Sequence, residues 1–172
     1  MPVTLNSTGI TFSDGNSQNS EAAGFAFGGS LYNTSGTYNK PANVGGLLIG
    51  AAGGDGGRTN RPNVRYIGGS AGRAVGFING NAYASAYYQV GAAGTPIYEV
   101  TQGRRAGSGG SSYFATSGSL AGNGGQGGGG QPSFNGNGGT FAGGKDLAFG
   151  GINGANGGSD GSAGKVAIYE LG

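Results

Sequence analysis

GNGGQGGGGQPSFNGNGG, residues 122 to 139, places ten glycines in eighteen positions. No α-helix accepts such a run, because each interior glycine costs about 1 kcal/mol relative to alanine. A flexible spacer, in turn, has no use for Phe134. Taking every third residue from Gly124 gives Gly124, Gly127, Gly130, Ser133, Gly136, Gly139, Ala142, Lys145, Ala148, Gly151, Gly154 and Gly157. Eight of these twelve are glycine, and after a slip of one residue the series continues through Gly158, Gly161 and Gly164. Three residues per turn is the period of an extended left-handed helix of the polyproline II kind. Such a helix has no internal hydrogen bonds, so each N–H must find a partner outside its own strand. Glycine lets neighbouring backbones come close enough to supply one, since no Cβ holds them apart. Five prolines are too few for collagen. The spacing therefore predicts several short glycine-rich helices from one chain, packed side by side and cross-bonded through backbone amides. A flexible linker is the alternative for any single tract.

Composition supports a packed solid. The 172 residues include 45 glycines, which suggests low complexity, but also 17 tyrosines and phenylalanines, with only 9% charged residues. A disordered chain stays open through charge and a lack of aromatics, and this one has neither property. The net charge of +2 without a long basic run gives no nucleic-acid footprint. No stretch approaches 18 apolar residues, so no membrane-inserting helix is expected. MPVTLNSTG carries no basic and apolar leader of the secretory kind.

Glycine density divides the chain. Residues 1–43 hold 6 glycines and residues 122–164 hold 19. Two parts are expected: an N-terminal segment, 1–43, for attachment or oligomerisation, and a glycine-rich β and polyglycine II domain, 44–172. Val3, Leu5, Ile10 and Phe12 alternate with polar neighbours, and Asp14-Gly15 signals a turn, so this region reads as short strands or a hairpin. VGGLLIGAAGG, from Val44, is a strand running into glycines. AVGFINGNAYASAYYQV, residues 74–90, reads as two strands joined by a hairpin at Asn79-Gly80. GKVAIYELG closes the chain with another strand. No window repeats apolar residues at helical spacing. The expected fold is mainly β with polyglycine II helices: a glycine-rich sandwich of short strands and packed polyproline-like segments, with essentially no α-helix.

The residue inventory argues against an enzyme. Histidine and cysteine are absent, which removes the common general bases, nucleophiles and zinc ligands. Seven carboxylates are scattered, none beside another. Gly122 to Gly127 satisfies G-x-G-x-x-G, and Gly139 to Lys145 satisfies G-x-x-x-x-G-K. Neither sits in a strand–helix unit, and Asp146 occupies the position of the metal-binding Ser or Thr. No cofactor or metal is expected. Arg58, Arg61, Arg65 and Arg73 cluster in one stretch, with Arg104 and Arg105 in a second. They read either as solvated loop charges and subunit contacts, or as a face for an anionic glycan or phosphate, which guanidinium binds bidentately. Tyr66 and Tyr83 are candidate contacts beside them, and Tyr87, Tyr88 and Tyr98 offer further rings for either sugar stacking or packing.

GRRAGSGGSSYFATSGSLAGNGGQGGGG, residues 103–130, resembles the glycine-rich domains of bacteriophage tail fibres and tip adhesins. So do YYQVGAAGT at residues 87–95, the opening VGGLLIGAAGGDGG and the closing GSAGKVAIYEL. GITFSDGNSQNSEAA, residues 9–23, is similar to a segment that recurs in phage tail proteins. The resemblance implies a non-enzymatic virion structural protein, a tail-fibre, tail-tip or adhesin component located on the virion, with loops between glycine tracts meeting the host surface. It further implies a homotrimer, other tail or fibre proteins bound through residues 1–43, and a host glycan or outer-membrane protein as receptor. This chain lacks the long variable insertions between tracts. A purely structural particle protein, such as a capsid decoration, collar or baseplate component, is the alternative.

Overall fold

The structure, a computed structural model, describes residues 4–6, 9–11, 17–18, 28–79, 82–98, 104–116, 120–129, 135–143, 151–152, 154–158 and 161–171. Alternation of side chains sets the strands. In β6 (Gly46–Ala52), Leu47, Ile49 and Ala51 are buried and the residues between them are partly exposed. A period of two places one set on each face. β9 (Arg73–Asn79) buries Ala74 and Ile78 in the same way, and β16 (Lys165–Leu171) buries Val166 and Ile168. With β4 (Gly28–Tyr32) and β15 (Gly151–Ile152) they form an antiparallel sheet ordered β15-β9-β6-β16-β4. Its two longest pairings, seven residues each, run from Lys165 opposite Ala52 to Leu171 opposite Gly46 and from Gly46 opposite Asn79 to Ala52 opposite Arg73.

A second antiparallel sheet contains β5 (Gly36–Asn39), β10 (Ser85–Gln89), β12 (Ser112–Phe114), β13 (Leu120–Gly122) and β14 (Phe141–Gly143), ordered β14-β13-β12-β10-β5. The two sheets face each other, with β12 and β13 against β6 and β13 and β14 against β9. Between them lie Leu47, Ile49, Val166 and Ile168 from one side and Tyr38, Tyr88, Phe114 and Leu120 from the other. Each such side chain contributes roughly 1.5–3 kcal/mol through removal from water. Residues 28–39, N-terminal to the change in glycine density, supply β4 and β5, an edge strand for each sheet.

The hairpin expected at Asn79-Gly80 does not form. β9 pairs with β6 and β15, so both its edges are taken, and β10 pairs with β5 and β12 in the facing sheet. The chain crosses from one layer to the other. Ile78 and Tyr88 thereby approach one core from opposite sides, and that burial outweighs the local turn preference. The alternating N-terminal stretch does form strands: β1 (Thr4–Asn6), β2 (Gly9–Thr11) and β3 (Ser17–Gln18) make a three-stranded antiparallel sheet of their own. Asp14-Gly15 and Phe134 lie outside the described residues. Among the described residues the fold is mainly β with essentially no helix, as the sequence predicts.

Eight segments rich in glycine and other small residues lie outside the named strands. Residues 53–58, 91–96, 123–129 and 154–158 lead away from the paired sheets, and 67–72, 104–111, 135–140 and 161–164 lead back. Their amides are cross-bonded in a repeating order. Gly53, Gly54 and Asp55 donate to the carbonyls of Gly72, Gly110 and Ser162, on three different segments. Gly56 and Gly57 then return to the first two of these segments, at Gly69 and Gly107. Segment 123–129 behaves alike: Asn123 and Gln126 donate to Thr140 and Asn137, while Gly125 and Gly128 donate to Gly54 and Gly57. Nine N–H groups that their own segments cannot satisfy are thus taken up by neighbours, at 2.8–3.1 Å. The neighbours are close enough that a Cβ at Gly56 would run into the Gln126 carbonyl, and one at Gly124 into the Gly109 carbonyl.

The core ties pH to stability through two tyrosines. Tyr38 is buried and donates to Glu170 Oε1 at 2.9 Å. Burial first, then the bond to and charge of Glu170, push its ionisation well above the ordinary tyrosine value of 10.0. Burial, and secondarily Tyr32, raises Tyr88 as well. Both phenols therefore stay protonated in the folded chain at a pH where the unfolded chain ionises. Their contribution is complete below about pH 10 and is lost as pH climbs through the raised folded values. Thermal unfolding midpoints are expected to hold steady from about pH 7 to about pH 9 and to fall above about pH 10. The decline should be shallower in Tyr38→Phe.

Candidate functional site

The far end of the glycine segments is closed by a small sheet. Thr59 to Tyr66 makes a hairpin of β7 (Thr59–Arg61) and β8 (Val64–Tyr66), turning at Pro62-Asn63. Proline and asparagine suit that turn, because one presets φ and the other tolerates turn geometry. β11 (Ile97–Tyr98) adds to β7 in parallel, and Ile97 N–H donates to the Arg58 carbonyl at 3.0 Å. Arg105 bridges to Gly129 alongside.

This closure collects six of the seven contact candidates. Arg58, Arg61, Arg65 and Tyr66 come from one hairpin and its approach, and Arg104 and Arg105 from the segment beside it. The Arg61 guanidinium lies over the Tyr66 ring, 4.9 Å from its centre, a cation–π contact that fixes both side chains. Arg65 and Arg104 are exposed, and all five arginines make contacts within the chain. Tyr98, 77% exposed, and Val64, 47% exposed, bring apolar area to the same end. Neither described carboxylate is there: Asp55 sits mid-segment, accepting from the Ala71 N–H at 2.7 Å, and Glu170 is bound to Tyr38 in the paired sheets. The chemistry on offer is bidentate donation to an anion next to a ring face.

Tyr83 is not part of this group. Its ring packs edge-on against Phe114 at 5.9 Å, on the core between the two sheets, at the opposite end of the glycine segments. Arg73 also stands apart, on the outer side of its sheet at the start of β9. Of the other tyrosines, Tyr88 is buried in the core and Tyr87 is exposed beside Tyr113.

Two residues that sequence reading passes over hold the ends of the glycine segments. Thr59 is fully buried; its Oγ1 donates to the Gly128 carbonyl at 2.7 Å and accepts from the Ala106 N–H at 3.2 Å. It ties three segments together beneath the arginines. Ser112, equally buried, accepts from the Gly91 N–H at 2.9 Å where the segments enter the sheets. Their only sequence signal is position, since each lies where a glycine run meets a strand.

Among the described residues no group of acidic side chains could hold a metal ion, and no helix is long and apolar enough to cross a membrane. No protein-family model matches the chain, and a search of curated proteins finds no match.

Proposed function

We propose that the eight cross-bonded segments are polyglycine II helices, and that the chain is a bacteriophage virion structural protein, a tail-fibre, tail-tip or adhesin component that faces the host. The observation that carries this reading is the three-residue repeat of hydrogen-bond partners. A segment whose successive amides point to three different neighbours is a three-fold helix locked into a bundle, not a spacer. Six residues at 3.1 Å each set the arginine-bearing end about 19 Å from the paired sheets. The sheets and N-terminal strands then belong to the particle, and the far end, with Arg65, Arg104 and Tyr98 exposed, meets the receptor. Its chemistry favours an acidic envelope glycan, with guanidinium on carboxylate or phosphate and tyrosine on a sugar face.

One observation favours a building role without a receptor: all five arginines make contacts within the chain, and Arg61 is stacked on Tyr66. The double variant Arg65→Glu/Arg104→Glu separates the two roles. The adhesin reading expects the wild-type chain to bind acidic bacterial envelope polysaccharide over neutral dextran and to compete with infection. The variant is expected to bind about tenfold more weakly or worse, since each charged hydrogen bond to the glycan that is lost costs roughly 1.5–3 kcal/mol. Its stability should fall by no more than about 1 kcal/mol per side chain, the worth of an exposed charge contact. Absence of binding by the wild-type chain, together with no competition, leaves the builder.

A further inference from the structure

Gly29, Gly46 and Gly50 lie on the outer face of the sheet ordered β15-β9-β6-β16-β4, and only the last is left open. The Tyr169 ring covers Gly29 and the Phe77 ring covers Gly46. A Cβ added at Gly50 would meet only that of Ala167, at 3.8 Å. Glycine inside a strand weakens it, and marks a bulge, a bend or a place where another molecule comes close. No irregularity of the backbone explains Gly50. It pairs with Ala167 on one side and Val75 on the other in unbroken ladders, and its φ is not positive.

The missing side chain leaves a trough of about 210 Å³ over Gly50 and Ala52, walled by Val75 on one side and by Ala167 and Leu31 on the other. Strand register sets Arg73 and Lys165 on either side of Ala52, at one end of the trough. Both cations are exposed, and neither has a hydrogen-bond or ion-pair partner among the described residues.

We infer that the trough binds a medium-chain alkyl carboxylate, with its chain over Gly50 and its carboxylate between Arg73 and Lys165. The chain follows from what the floor lacks. β6 is paired along both edges, so its N–H and C=O groups are taken up within the sheet. Val75, Leu31, Ala52 and Ala167 have no hydrogen-bonding side chain. A sugar or peptide laid there would bury hydroxyls or amides without partners, which is costly, whereas methylenes only leave water. Volume sets the length. The trough equals about seven waters, and a methylene is no larger than a water, so a chain of roughly eight carbons fills it. That is room for one short chain, which fits a free single-chain anion and not a two-chain bilayer lipid.

The carboxylate follows from charge. Arg73 and Lys165 stand two strands apart, roughly 10 Å at the backbone, and both side chains are long enough to converge on one anion between them. Neither described carboxylate competes for them, since Asp55 accepts from the Ala71 N–H and Glu170 from Tyr38. An apolar recess with a few convergent polar groups at one end is the usual form of a small-molecule site.

Sodium octanoate, titrated into the full chain below its micelle concentration and followed by backbone amide spectra, tests the site. Saturable shifts are expected at Gly50, Ala52 and Ala167, with octanol, which lacks the charge, binding about tenfold more weakly. Gly50→Val puts a side chain into the trough and suits a strand, so it should weaken octanoate binding about tenfold or more without lowering the unfolding midpoint. Should that variant misfold, Arg73→Gln/Lys165→Gln decides, and is expected to bring octanoate down to the level of octanol. No saturable binding by the wild-type chain, shifts confined to other residues, or binding indifferent to either variant overturns the site. So does retention on vesicles of anionic phospholipid without octanoate binding, which would make the face a membrane surface instead.

Discussion

Replacing Gly125 with alanine is expected to cost about 3 kcal/mol or more, at or above the upper end of ordinary overpacking. Gly125 is buried, and the added Cβ would strike the Gly69 carbonyl and lie 3.0 Å from the Ser70 oxygen. In a side-chain core the obstructing neighbour rotates away. Here the obstruction is backbone already engaged: the Gly69 carbonyl accepts from Gly56, and the Ser70 carbonyl from Gly139. Making room therefore breaks bonds on two further segments and leaves buried polar groups unpaired, each at roughly 1–3 kcal/mol. Gly45→Ala is the control. Gly45 is exposed, its nearest prospective contact is the Leu171 carbonyl at 3.8 Å, and the change should stay within about 0.5 kcal/mol. Denaturant midpoints at equal slope compare the two. Equal shifts would mean that close backbone approach is not what the glycines supply.

Gly125 also shows what the sequence discloses and what it hides. The three-residue glycine spacing was legible, and it reappears as a three-residue repeat of hydrogen-bond partners. The series through Gly124 and Gly127 captures only one phase, however. Gly125 and Gly128 form a second that is equally obligatory, since a Cβ there would meet the backbone at Gly69 and at Tyr66. GGDGGR, residues 53–58, and NGGQGG, residues 123–128, display the two-in-three pattern outright. Asp55, Arg58, Asn123 and Gln126 occupy the one phase with room for a side chain. The sheets were legible from alternation in β6, β9 and β16, but their partners were not. Pairing is a non-local outcome of burial, which is why the Asn79-Gly80 signal misled. At the site, Arg61 and Tyr66 are five residues apart in sequence and were read together. Tyr98 reaches that end only because a separate segment runs out to it, and no local pattern encodes where it finishes. Thr59 travels with the hairpin next to Arg58, but nothing local shows that its hydroxyl would meet Gly128 and Ala106.

Phe114→Ala is expected to be comparably severe, at about 3–5 kcal/mol. Phe114 is fully buried, and its ring lies 6.3 Å from that of Tyr38 and 5.9 Å from that of Tyr83. Truncation leaves a cavity lined by rings, of which Tyr38 is itself held in place by its bond to Glu170. Such a site collapses poorly, which favours the upper half of the range. Tyr83→Ala should also destabilise, by less because Tyr83 is only partly buried, and without lowering any binding measured at the arginine end. A loss of glycan binding in Tyr83→Ala at unchanged stability would return that ring to the site. The consequence reaches the glycine segments, which have almost no apolar side chains to bury and draw their order from the strands that anchor them. β6 runs into residues 53–58, β12 follows 104–111 and β13 precedes 123–129. Removing the Phe114 ring loosens the layer that fixes all three, so unfolding should remain a single transition at a lower midpoint, with no separate loss of the glycine bundle. Two resolved transitions in Phe114→Ala would instead mean that the cross-bonded amides hold the bundle by themselves.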